Sequence, residues 1–175
     1  MVNNFLVSML ALIEGRVWTL VTSVFSHATF FHLLFNMMAL SSFSFVMIEL
    51  LGSLRFTIFY LVAGVAGSVA HVASSTYLMH DPSMNALGAS GAVSGIILLF
   101  SLVFPQQKLL ILGLIPVRAI WGAVLLVSLD VWGLITQTRG TNGLGIGHGA
   151  HLGGAIVGIL YFFYLKNRSK KIATF

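Results

Sequence analysis

The polar residues of this chain that are suited to chemistry fall in three clusters, each surrounded by apolar sequence. The clusters are His27, His32 and Asn36; Gly88, Ala89 and Ser90; and His148 and His151. A serine hydroxyl beside a histidine forms a nucleophile with its general base, and amide groups can donate hydrogen bonds to a developing oxyanion. The chain has no cysteine, which excludes thiol nucleophiles and thiolate metal sites. The residue types therefore favour serine-based acyl transfer, if the fold brings Ser90 and His151 together.

The composition indicates a membrane protein. Of the 175 residues, 58% are hydrophobic and only 7% are charged, and the mean hydropathy is +0.99. Soluble domains carry about 25% charged residues, and disordered chains are poor in apolar ones, so both classes are excluded. The net charge of +5 does not indicate nucleic acid, because a group of basic residues follows the last apolar run and is typical of an anchor at an anionic lipid surface.

Five apolar runs approach the roughly 20 residues that a spanning helix needs. They predict spans at about 29–48, 56–78, 88–104, 109–136 and 149–165, with an interfacial segment over 1–28 and a basic tail over 166–175. The breaks between them contain Gly, Pro or charged residues and are short, so neighbouring helices should be antiparallel. The prediction is a single domain of the all-α class, a polytopic transmembrane helical bundle.

The distribution of Lys and Arg predicts the orientation of the bundle. Seven of these residues fall on the side of the first and third loops and the C-terminus, against two on the other side. By the positive-inside rule, the helices starting near 29, 88 and 149 then all begin on the outer side. The three polar clusters should lie at similar depth. Two small-xxx-small stretches, 91–95 and 154–158, predict close packing of the helices that carry Ser90 and His151.

The motifs resemble those of the rhomboid intramembrane serine proteases. The resemblance runs from about Trp18 to Leu165 and rests on Gly88-Ala-Ser-Gly91, on His27, His32 and Asn36, and on Ala150-His-Leu-Gly-Gly154. It implies a rhomboid-like fold in which Ser90 is the nucleophile and His151 the general base. It also implies that His32, Asn36 and the backbone around Gly88, Ala89 and Ser90 stabilise the oxyanion. His27 and His148 are expected to support the site from its margin.

The resemblance also defines what should differ here. The family core commonly has six spans, and five are visible in this sequence, so we expect the first span to be missing. No carboxylate is close in sequence to the histidines, which predicts a Ser-His dyad rather than a triad. The one acidic residue within the fourth span, Asp130, is expected to reach interfacial water. A polar mouth for water is expected at His27, His148, Thr141 and Asn142.

The predicted function is cleavage of transmembrane segments of membrane-protein substrates. No metal or cofactor is predicted, since there is no HExxH motif. The expected partners are those substrates and the lipid bilayer, not nucleic acid, and the oligomeric state stays open. A noncatalytic rhomboid-like protein that binds membrane helices is the first alternative, and a small transporter or channel subunit is the second. The mitochondrial inner membrane is slightly favoured as the location over a bacterial plasma membrane.

Overall fold

The structure, a computed structural model, describes residues 2–111, 115–140 and 146–168. The helices are α1 (Met9–Ile13), α2 (Thr19–Thr22), α3 (Phe30–Leu51), α4 (Ser53–Tyr77), α5 (Ser90–Val103), α6 (Ala119–Thr138) and α7 (His148–Arg168), with a hairpin of β1 (Lys108–Ile111) and β2 (Ile115–Arg118). Single 3₁₀ turns cover Val2–Asn4 and Ser23–Phe25. The bundle confirms the predicted all-α polytopic membrane class. The predicted tail falls mostly outside the described residues.

Four of these helices, α3, α4, α6 and α7, are long and apolar enough to cross a membrane. The third predicted span, 88–104, is different, because α5 has only 14 residues and is about 21 Å long at 1.5 Å per residue. Most of its residues are buried by the surrounding helices. A helix this short cannot reach across a hydrocarbon core of about 30 Å. With its C-terminus at the basic side of the membrane, as predicted, α5 would place its first residue, Ser90, below the outer membrane surface.

The fourth predicted span begins later than expected. We predicted a helix over 109–136, but residues 108–118 contain an antiparallel hairpin in which Lys108 pairs with Arg118, and α6 starts at Ala119. The physical reason lies in Pro116, which has no N–H to donate and interrupts a helix. A helix over 109–136 would also be about 42 Å long, well beyond the hydrocarbon thickness.

Glycine allows α4, α5 and α7 to pack with their backbones nearly in contact. A Cβ added at Gly154 would overlap the carbonyl oxygen of Gly91, and one added at Gly95 would lie 2.8 Å from the carbonyl oxygen of Gly154. On α4, a Cβ at Gly67 would lie 2.8 Å from the carbonyl oxygen of Ala150. The predicted contact between the two small-xxx-small stretches is thus confirmed. It fixes the distance between the outer ends of α5 and α7.

The apolar core lies at the basic-side half of the bundle, away from the polar clusters. Met47, Phe59, Ile96, Leu99 and Phe100 are among its buried side chains. They come from the C-terminal half of α3, the N-terminal half of α4 and the middle of α5. This cluster packs the three helices together at the end of the bundle away from Ser90 and His151.

The N-terminal segment holds the loop that precedes α5. It forms short helices rather than a span, and Trp18 is 48% exposed. Val7 and Ala86 exchange backbone hydrogen bonds of 3.0 and 2.9 Å, and the N–H of Gly88 donates to the carbonyl of Ser23 at 2.9 Å. These bonds attach both ends of residues 86–88 to the segment before α3, just where the chain turns into α5.

Candidate active site

Ser90 and His151 meet at the N-terminal ends of α5 and α7. Ser90 is the first residue of α5, and His151 lies in the first turn of α7. The Oγ of Ser90 is 2.9 Å from the Nε2 of His151. The two residues predicted as nucleophile and base are therefore within hydrogen-bond distance, and the histidine side chain is 16% exposed.

The backbone turn that precedes Ser90 requires glycine at position 88. Gly88 has φ of +128°, a conformation that side-chain-bearing residues rarely adopt. A Cβ there would also lie 2.7 Å from the Cε1 and 2.8 Å from the Nε2 of His32. Gly88 thus turns the chain into α5 and leaves room for the His32 ring. Ala89, the N-cap residue of α5, is buried between this turn and Ser90.

A cavity of about 920 Å³ opens beside the Ser90–His151 pair. His32, Gly88, Ser90 and His151 all line it. Its further lining includes polar groups from α4 and the N-terminal segment, namely Ser23, Ser68 and His71. Four of the predicted site residues thus surround one space that is large enough for several water molecules or an extended peptide segment.

Asn36 lies one turn below His32 and is turned toward its own helix. Its Nδ2 donates to the carbonyl oxygen of His32 at 2.9 Å, and the residue is 6% exposed. It is not among the described residues that line the cavity. Among the described residues, the His32 ring accepts one hydrogen bond, and it is long, at 3.5 Å from the backbone N–H of Ala28 to the Nδ1. Of the two predicted side-chain oxyanion groups, only His32 borders the cavity.

His27 lies behind His32 rather than in the cavity lining. The two rings meet edge to face with centroids 5.0 Å apart. The Nε2 of His27 is buried and has no hydrogen-bond partner among the described residues. Burial lowers the pKa of His27, and the neighbouring His32 lowers this pKa further. His27 is therefore a neutral ring that packs against His32.

The environment of Asp130 differs from the one expected from the sequence. It was expected to contact water, but it is 5% exposed on α6, and its Oδ1 lies 2.9 Å from the Nδ1 of His151 and 2.7 Å from the Nδ1 of His148. The sequence did not indicate this contact directly, because Asp130 is far from both histidines along the chain. Two clues were present: a lone charge within a span predicts a functional partner, and antiparallel α6 and α7 bring these positions to the same side.

His148 was expected to face the water-filled mouth, and this is wrong. Its side chain is only 14% exposed. The ring occupies the space above Gly133, where an added Cβ would overlap it. The bond to Asp130 draws the ring against α6. Two other residues of the predicted mouth, Thr141 and Asn142, lie outside the described residues.

His71 was not predicted as a site residue. Its Nε2 lies 3.1 Å from the carbonyl oxygen of Met84, and it is 5% exposed. The bond ties the loop before α5 to α4 at the cavity wall. A histidine within a predicted span was the only sequence clue, and the spacing to residues 84–90 gave no indication of the contact.

Comparisons with known proteins agree with the motifs. The family profile described as Rhomboid domain matches residues 14–168. The chain is 34% identical over 169 residues to RHOMBOID-like protein 12, mitochondrial, of Arabidopsis thaliana, covering 90% of this chain and 49% of the relative. It is 32% identical to Rhomboid protein 1, mitochondrial, of Saccharomyces cerevisiae, covering 87% of this chain and 43% of that protein.

The human relative Presenilin-associated rhomboid-like protein, mitochondrial, is 34% identical over 145 residues, which are 81% of this chain and 36% of the relative. The chain thus spans half or less of the length of these three curated relatives. The match to the family profile nevertheless covers most of its own length and contains all three polar clusters. The chain therefore belongs to the rhomboid family.

Proposed function

We propose that this chain is an intramembrane serine endopeptidase that cleaves transmembrane segments of other membrane proteins. The observation that carries the proposal is the 2.9 Å contact between the Oγ of Ser90 and the Nε2 of His151. A nucleophile and base at this distance beside an open cavity are the arrangement that acyl transfer requires. Rhomboid family members are generally intramembrane serine proteases, which supports the same reading.

The reaction needs no cofactor. The Nε2 of His151 takes the proton of Ser90 as its Oγ attacks the scissile carbonyl carbon, and the resulting imidazolium then protonates the leaving amine. An acyl-enzyme on Ser90 remains. A water molecule in the cavity loses a proton to the same Nε2, attacks the ester and releases the second product with Ser90 regenerated.

The oxyanion is stabilised by groups at the start of α5 and on α3. The first N–H groups of a helix have no partner within it, so the backbone N–H of Ser90 is available as a donor. His32 borders the same cavity. Asn36 lies outside the cavity lining in this structure and donates to the carbonyl of His32, so it would reach the oxyanion only after its side chain changes rotamer.

The substrate is expected to be a membrane helix with a weak point. A helix keeps its carbonyl groups in hydrogen bonds, and breaking them in lipid is expensive. A segment containing Gly or other helix-destabilising residues unwinds more easily than poly-Leu and presents a carbonyl to Ser90. The cavity supplies the water that the hydrolytic step consumes.

The direct test is cleavage of a transmembrane substrate by the full chain in liposomes. We expect a Gly-containing segment to be cut about 5-fold faster than a poly-Leu segment, since Gly weakens a helix by about 1 kcal/mol relative to Ala. Ser90→Ala and His151→Ala should abolish cleavage. Ser101→Ala, the same change at a buried position lower on α5, should not.

Equal cleavage of both segments would contradict the proposed substrate preference. Absence of cleavage by a folded sample, with helix binding retained, would favour the noncatalytic rhomboid-like alternative. Solute flux through the liposomes would favour the transporter or channel alternative.

We further propose that the protein resides in the mitochondrial inner membrane. The support is the mitochondrial designation of the relatives reported above together with the four apolar spans. Immunodetection after fractionation of the source cells tests this location. Recovery in a bacterial plasma membrane would replace it with the alternative.

A further inference from the structure

The carboxylate of Asp130 is buried within the bundle. Burial of a charged group is costly, so a partner or a function is expected to account for it. A charged group in a membrane span is rare and costly, and it faces the protein interior when present. In the part of the chain that the structure describes, its ion-pair partners are two histidines, with no Lys or Arg among them. A purely structural charge would be better paired with a permanent cation, because an imidazole is neutral for much of the physiological pH range.

The geometry at His151 determines which nitrogen holds the proton. An ionised carboxylate can only accept hydrogen bonds. The Nδ1 of His151, 2.9 Å from the Oδ1 of Asp130, therefore carries the hydrogen that it donates. In the neutral ring this leaves the Nε2 with a lone pair, and that is the atom 2.9 Å from the Oγ of Ser90. The contact thus selects the tautomer in which His151 can act as a base toward Ser90.

His148 fixes the carboxylate from its other side. Its Nδ1 lies 2.7 Å from the same Oδ1, and Gly133, three residues after Asp130 on α6, leaves the space that its ring fills. With two donors converging on it, the oxygen is held between the first turn of α7 and the middle of α6. His148 supports Asp130 rather than contacting Ser90.

A metal ion is the competing explanation for this group. One ligand atom from each of Asp130, His148 and His151 lies within 4.8 Å of the others. The hydrogen bonds already satisfy the groups in pairs, however, and a metal on the Nδ1 of His151 would displace the proton that the carboxylate accepts. The contact distances fit hydrogen bonds of charged groups without further assumptions.

We propose that Asp130 is a positioning residue for His151, so that the site operates as a Ser90–His151–Asp130 triad with His148 holding the carboxylate. The inference rests on the proposed protease function, since it assigns a role in the activation of Ser90. Asp130 does not touch the substrate. It orients the imidazole, fixes its tautomer and stabilises the imidazolium that forms during attack.

The test compares the full chain with Asp130→Asn, which keeps the shape and removes the charge. We expect kcat for a transmembrane substrate and the rate of fluorophosphonate labelling to fall at least about 100-fold, with KM within about 3-fold; the analogous change in serine proteases with a triad costs about 10⁴-fold. Glu49→Gln is the matched control, because it makes the same chemical change at an exposed position of α3. It should leave both rates unchanged.

Nitrogen NMR of the histidines provides the second readout, which does not depend on the variant folding. In the unsubstituted protein His151, identified by comparison with His151→Gln, should show a protonated Nδ1 in its neutral ring. A neutral ring protonated at Nε2 would overturn the proposal even if Asp130→Asn does not fold. Kinetic constants of a folded Asp130→Asn within about 2-fold of the parent would overturn it too.

Treatment with a chelator distinguishes the proposed triad from the metal explanation. Full activity after EDTA treatment is expected, and a loss restored by Zn²⁺ would overturn the proposal. Failure of the proposed protease function can be distinguished from failure of the role of Asp130, because without protease function the unsubstituted chain would neither be labelled nor cleave the substrate. Normal labelling in both the parent and Asp130→Asn would remove only the role of Asp130.

Discussion

At the residue scale, the candidate site is built from groups in four parts of the chain, and each group has a different proposed role. In the proposed reaction Ser90 and His151 are the reacting pair, His32 borders the cavity in which an oxyanion would develop, and Gly88 makes the turn into α5. Because each group has a distinct position, a substitution at each should produce a distinct kinetic effect.

Asn36→Ala should lower turnover without abolishing it. Loss of one oxyanion donor typically reduces kcat by about 100-fold or more, or about 3 kcal/mol of transition-state stabilisation. Because the amide acts mainly in the transition state, KM should change little. Asn4→Ala, at an exposed position, serves as the control. Unchanged kcat in the Asn36 variant would remove Asn36 from the oxyanion site.

His27 should make stability depend on mildly acidic pH. Folding lowers its pKa through burial and through His32, so the unfolded chain binds more protons below its ordinary pKa of about 6.5. The free energy of unfolding therefore falls as the pH drops below that value. In His27→Gln, the decrease in Tm between pH 7.5 and 5.5 should be smaller than in the parent or in His80→Asn, and an unchanged decrease would refute this.

The chemistry of individual residues was partly predictable from sequence. Ser90 and His151 could be paired because the orientation of the helices places them at one depth. The contact of Asp130 was missed despite its clues, because its partners lie on the next helix and the close approach of the two helices depends on packing at Gly133. The fixed contact of Asn36 within its own helix is likewise a rotamer choice that sequence does not specify.

At the element scale, the short α5 and its glycine contacts with α7 set the geometry of the reacting pair. The start of the hairpin at Lys108 and of α6 at Ala119 was not predicted, since hydropathy does not distinguish an apolar strand from an apolar helix. The glycine contacts were predicted, because small residues four positions apart allow two membrane helices to pack closely.

Gly154→Ala should separate α5 from α7. The added Cβ would overlap the carbonyl oxygen of Gly91, and such overpacking typically costs about 1–3 kcal/mol of stability. We expect a lower unfolding midpoint and at least about 10-fold slower labelling of Ser90, since its distance from His151 would increase. Gly122→Ala is the control, because nothing lies within 4 Å of a Cβ added there. Equal effects of the two changes would contradict the role of the α5–α7 contact.

At the scale of the whole molecule, the main apolar core and the polar clusters lie toward opposite ends of the bundle. The predicted orientation places the turn between α3 and α4 inside and the loop between α4 and α5 outside. With this orientation, the cavity beside Ser90 would lie toward the outer side, from which water would reach the site.

The absence of cysteine makes this orientation easy to test. Ser53→Cys and Ser83→Cys introduce single thiols at exposed positions on the two sides. In sealed right-side-out vesicles, a membrane-impermeant maleimide should label only Ser83→Cys, and in inverted vesicles only Ser53→Cys. Labelling of both variants from one side would show that the assigned orientation is wrong.

The central claim is that Ser90 and His151 form a working nucleophile and base within the membrane. Fluorophosphonate treatment of the purified full chain, followed by intact-mass measurement, tests it most directly. We predict one adduct that maps to Ser90, is absent in Ser90→Ala and His151→Ala, and persists in Ser101→Ala. A folded, helical sample that forms no adduct, or an adduct that persists without His151, would contradict the claim.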